Sequence, residues 1–309
     1  MDQNTQTHSA SRTDGSTNKA MRKRKLKTLT IVSQNVQGIK SEERIEELCS
    51  TLRKRKIFAA CIQETWRSGN NMLLNAEFVI VTNGLPKDKN TSNRGSQGVG
   101  IVLSPAAQTA WEAAGSIVHD VHGSRVLAIR LKVKDHQNRD IFIFLVSAYA
   151  PIGKADQTEW DEYFSNLSDC LDKKHETDIL ILGTDTNSSM GCSPEYDCLG
   201  RFGIDYVNEA GRRLASYLSM SQMVALTTCF QKPAYGTWVH PRSNRKHQID
   251  HLITNNRHRQ RITDAGLTNS SIVITWLSNV KFVLWLVSKR KLRHGNFFCH
   301  GTFCTKFTK

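Results

Sequence analysis

Between residues 28 and 270, short runs rich in β-branched and aromatic residues outnumber amphipathic helical stretches by roughly three to one, and that ratio narrows the folds open to the chain. Strands are expected at Leu29–Gln34, Phe58–Gln63, Phe78–Thr82, Val99–Leu103, Val126–Val133, Ile141–Ala148, Asp178–Leu182, Val224–Thr228, Thr237–His240 and Gln248–Thr254. Helices are expected at Ser41–Arg55, Thr158–Lys174 and Asn208–Ser219. The first of these opens on Ser41 ahead of acidic residues and closes on basic ones, the charge order that complements a helix dipole. So many strands overfill one doubly wound sheet. Two mixed sheets packed face to face with helices outside, an α/β arrangement, accommodate them.

The chain has 309 residues, 39% of them hydrophobic, enough to bury a core and too many for a disordered or collagen-like chain. A net charge of +14 would suggest a polyanionic partner if it were spread over the surface. It is not: residues 1–30 carry seven bases and two acids, residues 265–309 carry seven bases and no acid, and residues 31–264 hold 28 bases against 26 acids. Only local clusters can therefore argue for nucleic acid. The eight cysteines form no CxxC pair and no Cys/His zinc spacing, which points to a reduced intracellular compartment, nuclear or cytoplasmic. Residues 1–27 lack the apolar stretch of a secretory signal and read as a disordered basic leader. Its run Arg22-Lys23-Arg24-Lys25-Leu26-Lys27 is either a nuclear import signal or a solvated domain edge. The apolar stretch Ser271–Val287 is interrupted by Ser278, Asn279 and Lys281 and falls short of the ~20 apolar residues that span a bilayer, so no membrane is expected.

Four apolar strands end in polar residues that packing does not require: Asn35-Val36-Gln37, Gln63-Glu64-Thr65, Ala148-Tyr149-Ala150-Pro151 and Asp185-Thr186-Asn187. Each alone is explained by a turn, a helix cap or an ordinary loop. Together they gather carboxylates, amides and a phenol at strand ends, a common way to build a site on a rigid scaffold. Asp185 and Asn187, two residues apart, are expected to share one strand face, with Thr186 turned away.

In order and spacing these segments resemble the motifs of the endonuclease/exonuclease/phosphatase superfamily, from about Thr28 to about Val273. Ser33-Gln34-Asn35-Val36-Gln37-Gly38 looks like its first motif, Ile62-Gln63-Glu64-Thr65 its metal motif and Ala148-Tyr149-Ala150-Pro151 its tyrosine motif. Gly183-Thr184-Asp185-Thr186-Asn187 resembles its Asp-x-Asn motif, and Gln248-Ile249-Asp250-His251-Leu252-Ile253 its late aspartate strand. The stretch Leu199–Ile253, with Gly236-Thr237-Trp238, is similar to craniofacial-development-protein-2-like proteins and to the endonuclease domains of non-LTR retrotransposons. The resemblance implies a four-layered α/β/β/α sandwich over residues 28–273 and hydrolysis of phosphate esters with Mg²⁺ or Mn²⁺.

By the same resemblance Glu64 is the principal metal ligand and Asn35 positions the metal or its waters. Asp185 activates the attacking water, Asn187 orients the phosphate and Tyr149 donates its hydroxyl to a phosphate oxygen. A hard cation of this kind needs only one or two carboxylates, because waters and the phosphate complete its shell. Gln37 stands where the family often has an acidic or amide residue and is taken as peripheral. Asp250 corresponds to an aspartate that in the family orients the histidine of a final Ser-Asp-His motif, and that motif is missing: after Asp264 the chain contains no acidic residue. His251 should face the other side of its strand, while His294 and His300 lie beyond the resemblance.

Residues 274–309 form an atypical basic tail, as though another reading frame or exon had replaced the family's C-terminus. Val280–Val287 is apolar and β-branched enough to serve as the last strand; otherwise a sheet edge is left exposed. Arg242, Arg245, Lys246, Arg257, Arg259 and Arg261 flank the Asp250 strand and either contact phosphates or form a solvated surface. Trp238 and Tyr235 either stack on bases or belong to the core. Three functions are open: a DNA endonuclease related to retroelements, a catalytically impaired homologue that binds nucleic acid or protein, and a phosphatase of small phosphoesters.

Overall fold

The computed structural model describes residues 27–89, 95–120, 123–135, 137–193, 195–268, 271–276 and 280–287. The leader up to residue 26, with most of the basic run at 22–27, lies outside them, as do His294 and His300. An eight-stranded sheet has the order β15 (Ser271–Trp276), β14 (Ile262–Thr268), β16 (Val280–Val287), β1 (Lys27–Asn35), β2 (Ala59–Gln63), β5 (Val99–Leu103), β4 (Phe78–Asn83), β3 (Asn71–Asn75). A six-stranded sheet has the order β10 (Met223–Ala225), β13 (Asp250–Asn255), β9 (Ile179–Asp185), β8 (Asp140–Tyr149), β7 (Val126–Lys134), β6 (Val118–Asp120). A separate hairpin pairs β11 (Trp238–Val239) with β12 (Lys246–His247). Four helices complete the described chain: α1 (Glu42–Lys54), α2 (Pro105–Glu112), α3 (Gln157–Leu171) and α4 (Glu209–Met220).

Both large sheets are mixed, since β1 runs parallel to β2 and β16 and β8 runs parallel to β9, while their other pairings are largely antiparallel. The inner faces meet through Ile31, Cys61, Ile101, Leu145 and Ile181. Outside the larger sheet, α1 packs Ile45, Leu48 and Leu52 on Val32, Ile62 and Ile80. Outside the smaller one, α3 and α4 set Trp160, Tyr163 and Leu214 against Phe144, Val146 and Leu182. This is the expected α/β/β/α sandwich.

Several elements depart from the sequence expectation, each for a physical reason. Helix α2 is capped by the Ser104 side chain and opens on Pro105, but with no acid in its first turn and no base in its last it carries few helix signals. Its Ala107, Ala110 and Trp111 join the core between the sheets. Val224–Thr228 is not one strand: β10 stops at Ala225, and Leu226–Thr228 turns into a buried 3₁₀ segment. Strands β3, β6, β12 and β14 were not expected; three of them are five residues or shorter, too brief to show a period. Strand β16 forms at Val280–Val287 and lies parallel to β1, Lys27 opposite Val280 and Gln34 opposite Val287. The expected boundary between Val273 and Ile274 falls inside β15. No helix among the described residues is long and apolar enough to cross a membrane.

The sheets approach closely at Gly183 of β9. A Cβ there would lie 2.7 Å from the Cβ of Cys61 and 2.9 Å from that of Ser33, both on the opposing sheet. Polar side chains bridge the same place: Gln63 Nε2 lies 3.1 Å from Ser33 Oγ, 3.3 Å from Ser147 Oγ and 3.2 Å from the Gly183 carbonyl. Ser147 Oγ in turn donates to the Ile62 carbonyl at 2.9 Å.

Gly183→Ala should therefore cost about 1–3 kcal/mol by overpacking, seen as a lower urea midpoint at unchanged slope. A second prediction concerns acid. Burial pushes His251 and His258 down to about 4 from 6.5, and for His258 the cations Arg261, Arg257 and Lys174 add to the effect. Because the unfolded chain then takes up protons first, this stability is complete above pH 6.5 and is lost as pH falls toward 4. For His251 the loss at pH 5 is about 2 kcal/mol. Urea melts at pH 7 and pH 5 should differ by at least that amount, and His258→Gln should reduce the difference.

Candidate active site

Strand register brings the polar ends to one edge of the sandwich. Asn35 pairs with Gln63 at the ends of β1 and β2, Tyr149 with Asp185 at the ends of β8 and β9, and Asp250 with Asp185 where β13 begins. There the Asn35 side-chain nitrogen donates to Glu64 Oε1 at 2.6 Å and to Asp185 Oδ2 at 2.8 Å. Its oxygen accepts from the Gln37 backbone N–H at 3.1 Å. An amide nitrogen has two protons, and here each is spent on a carboxyl group of a different sheet, which ties the two sheet ends together. The Tyr149 hydroxyl donates to the same Glu64 Oε1 at 3.2 Å.

Glu64 is in the left-handed region, φ 54°, which a non-glycine residue adopts at a cost. The surrounding backbone holds it there: Gly38 N–H donates to the Glu64 carbonyl at 2.8 Å, and Thr65 N–H to the Gly98 carbonyl at 3.1 Å. The carboxylate thereby leaves the strand's alternation and reaches a cavity of about 490 Å³ shared with Gln37, Trp66, Gln97, Arg125, Tyr149 and Glu159. Gln37 thus stands at the mouth, its backbone N–H on the Asn35 side chain.

Asp185 and Asn187 do converge, but not by strand alternation. Strand β9 stops at Asp185, Asn187 has φ 46°, and its N–H donates to Asp185 Oδ1 at 3.1 Å. The Asn187 side-chain nitrogen donates to the Ala150 carbonyl at 2.9 Å, tying this turn to the end of β8. Thr186 is buried and its hydroxyl lies 2.7 Å from the Ile249 carbonyl. Asp250 is fully buried opposite Asp185, a pairing that sets both side chains on one sheet face. His251 takes the other face, as the strand period expects: it is buried, and its Nδ1 lies 2.7 Å from Thr227 Oγ1.

Arg125 was not singled out from the sequence. It precedes β7, donates to the Tyr149 and Ala150 carbonyls at 3.3 and 3.4 Å, sits 5.4 Å from the centroid of the Tyr149 ring and pairs with Glu159. The available signal was another polar residue beside a strand end. Only the register, Val126 opposite Ala148, shows that this end meets Tyr149.

Among the described residues no group of three or more His, Cys, Asp or Glu side chains is arranged to hold a metal. The site therefore offers no all-protein cage. It offers the oxygens of Glu64, with Asp185 and Asn35 behind it, and such a set suits a hard cation that keeps waters in its shell.

The basic residues divide. Arg242, Arg245 and Lys246 are exposed on the β11–β12 hairpin. That hairpin is rooted beside Asp250, because Thr237 Oγ1 accepts from the backbone N–H groups of Ile249 and Asp250 at 3.0 and 3.2 Å. Trp238 is half-buried against the hairpin's own His240 and His247, at ring separations of 5.5 and 5.4 Å. The Tyr235 hydroxyl accepts from the Lys232 N–H at 2.8 Å. Arg257, Arg259 and Arg261 lie instead in the 3₁₀ segment Asn256–Arg261 at the far end of β13, so they do not flank the mouth.

No protein-family model matches the chain. Craniofacial development protein 2 of Bos taurus is 28% identical over 148 residues, 47% of this chain, and that of Tragulus javanicus 26% identical over 170 residues, 54% of this chain. The matches span only 24% and 28% of those proteins. Among solved structures, the 3′ phosphatase NExo from Neisseria bound to a product DNA hairpin aligns with a TM-score of 0.53 at 16% identity, covering 77% of this chain and 91% of that one. The catalytic domain of Xenopus laevis APE2 gives 0.53 at 14% identity, covering 76% and 85%. An endonuclease/exonuclease/phosphatase family protein from Leptotrichia buccalis gives 0.50 at 10%, covering 77% and 91%. The chain thus has the endonuclease/exonuclease/phosphatase fold, that of hydrolytic nucleases and phosphatases, and is similar in sequence to craniofacial development protein 2.

Proposed function

We propose that the chain is an endonuclease that hydrolyses phosphodiesters in DNA with Mg²⁺ or Mn²⁺, related to the endonucleases of retroelements. The observation that carries this reading is the Asn35 side-chain nitrogen set 2.6 Å from Glu64 and 2.8 Å from Asp185, at an edge where five strands end or begin. Glu64, which reaches the mouth, is the principal donor to the cation, and Asn35 fixes its orientation. The cation supplies positive charge to the phosphate oxygens. Asp185, held by Asn35 and by the Asn187 N–H, accepts the proton of the attacking water. Tyr149 transfers its hydroxyl bond from Glu64 to a phosphate oxygen, and Asn187 orients the phosphate. Asp250, lying across from Asp185, backs that base from the neighbouring strand. Arg242, Arg245 and Lys246 neutralise the DNA backbone, and Trp238 stiffens the hairpin that carries them. The free thiols of the six described cysteines support a nuclear or cytoplasmic location.

A second reading is a DNA-binding homologue with little turnover, and the specific observation in its favour is the absence of any Ser-Asp-His sequence from the chain. An exposed basic hairpin beside the mouth speaks against small phosphoesters such as inositol phosphates.

Nicking of supercoiled plasmid with Mg²⁺ separates the readings: Glu64→Ala and Asp185→Ala should each reduce it by ~10²–10⁴. Wild type as inert as both variants, with DNA binding intact, would assign the chain to the second reading. Asn35→Asp puts a third carboxylate where the bridging donor was. It should lower stability by about 2–4 kcal/mol, read as a lower urea midpoint at pH 7, whereas Asn35→Ser, which leaves no added carboxyl, should cost less.

A further inference from the structure

The arginines that separate from the mouth have neighbours of the same sign. Strand β13 runs from Asp250 at the mouth to Asn255, roughly 17 Å at ~3.4 Å per residue, and the 3₁₀ segment follows at once. Strand β9 is antiparallel to it, so the turn from α3 into β9 lies at the same end. That turn carries Lys173 and Lys174, and the exposed Arg257 joins the two segments through Glu176 at 3.7 Å. His258, buried between exposed arginines, feels Arg261, Arg257 and Lys174 together, which places those three cations around one imidazole.

Exposed acids offset only part of the charge on Lys173, Lys174, Arg257 and Arg259. The Glu176 carboxylate is almost fully exposed, and an ion pair in that setting is worth little. Asp178 is buried and bidentate with Arg130, at 2.9 and 2.8 Å. Asp172 remains as an exposed acid on that turn. Clustered cations repel one another and weaken the fold unless an anionic partner is present. Arginine's planar fork suits phosphate. A lipid surface is a poorer fit, because insertion takes an apolar face and Met220 is a lone exposed apolar side chain beside this segment.

We infer that Lys173, Lys174, Arg257, Arg259 and Arg261 form a second surface for the nucleic-acid backbone, at the end of the six-stranded sheet opposite the catalytic mouth. One chain then holds two duplex segments, one at each end, without reading sequence at the second. The inference does not require hydrolysis.

The test uses the full chain, a 12-base-pair duplex in excess and EDTA to prevent cleavage, with stoichiometry read by native mass spectrometry and sedimentation. Two duplexes per chain are expected for wild type. Combined Arg257→Gln, Arg259→Gln and Arg261→Gln should leave one, the second binding at least about tenfold more weakly at 0.1 M salt. Lys173→Gln with Lys174→Gln tests the same surface if the triple variant melts early. The hairpin variant Arg242→Gln, Arg245→Gln, Lys246→Gln should lose the other duplex. A single duplex per chain, lost in the hairpin variant alone, overturns the inference and leaves the mouth as proposed. A single duplex lost only in the 3₁₀ variant upholds this surface as a binding site but overturns the two-duplex arrangement and the proposed role of the hairpin. Equal loss from Lys87→Gln with Lys89→Gln overturns it, as does a 3₁₀ variant that keeps both duplexes but no longer binds phosphatidylserine vesicles.

Discussion

The contact between the two sheets at Gly183 fixes the distance on which the site depends. Asn35 and Glu64 come from the eight-stranded sheet, and Tyr149, Asp185 and Asp250 from the six-stranded one. Their hydrogen bonds of 2.6–3.2 Å therefore bridge a gap that the layers beneath must hold to a few tenths of an ångström. A side chain at 183 would meet Cys61 and Ser33, so only hydrogen permits that spacing. Gln63 then locks it, since its buried amide lies within 3.3 Å of groups on β1, β8 and β9. Glu64 follows directly in the chain. The residue that clamps the sheets and the residue that reaches the mouth are thus neighbours, and movement of either layer is felt in the carboxylate pair.

This architecture explains which parts of the molecule were legible in the sequence. Strand β5 falls on Val99–Leu103 as expected, because a run of apolar residues bounded by Gly98 and Ser104 has no competing period. The four polar strand ends are visible because packing gives no reason for them. The convergence of Asp185 and Asn187 was correct in outcome and wrong in cause: a left-handed Asn187 replaces the strand, and αL conformations of asparagine leave little trace in periodicity. Arg125 was hidden for another reason. Its relation to Tyr149 exists only through the β7–β8 register, which no local pattern encodes. The six bases of Arg242–Arg261 look like one cluster in sequence, yet a six-residue strand is long enough to carry three of them to the opposite end.

The charge distribution follows the same geometry. The acidic side chains Glu64, Asp185 and Asp250 gather at this end, with the Asn35 amide between the first two and Arg125 against the Tyr149 ring. The β11–β12 hairpin keeps Arg242, Arg245 and Lys246 apart from those carboxyl groups, since it rises from the segment that begins β13 and holds these bases on the exposed side. Acidic and basic side chains are thereby divided between two elements with a common root.

The C-terminal segment shows why fold and chemistry separate in such a chain. Strand β16 occupies a place between β14 and β1, and its backbone pairs with β1 over eight consecutive residues. A parallel ladder asks of its strand only extended backbone and donors and acceptors in register, which many sequences satisfy. Proton transfer and phosphate contact ask for particular side chains at particular positions, and after Asp264 the chain has no carboxylate with which to orient a histidine. The sheet can therefore close on a sequence that lacks the final motif, because ladder hydrogen bonds do not depend on side-chain identity. The polar groups gathered at the mouth, Asn35, Glu64, Tyr149 and Asp185, all precede residue 264 and are set by strands other than β16.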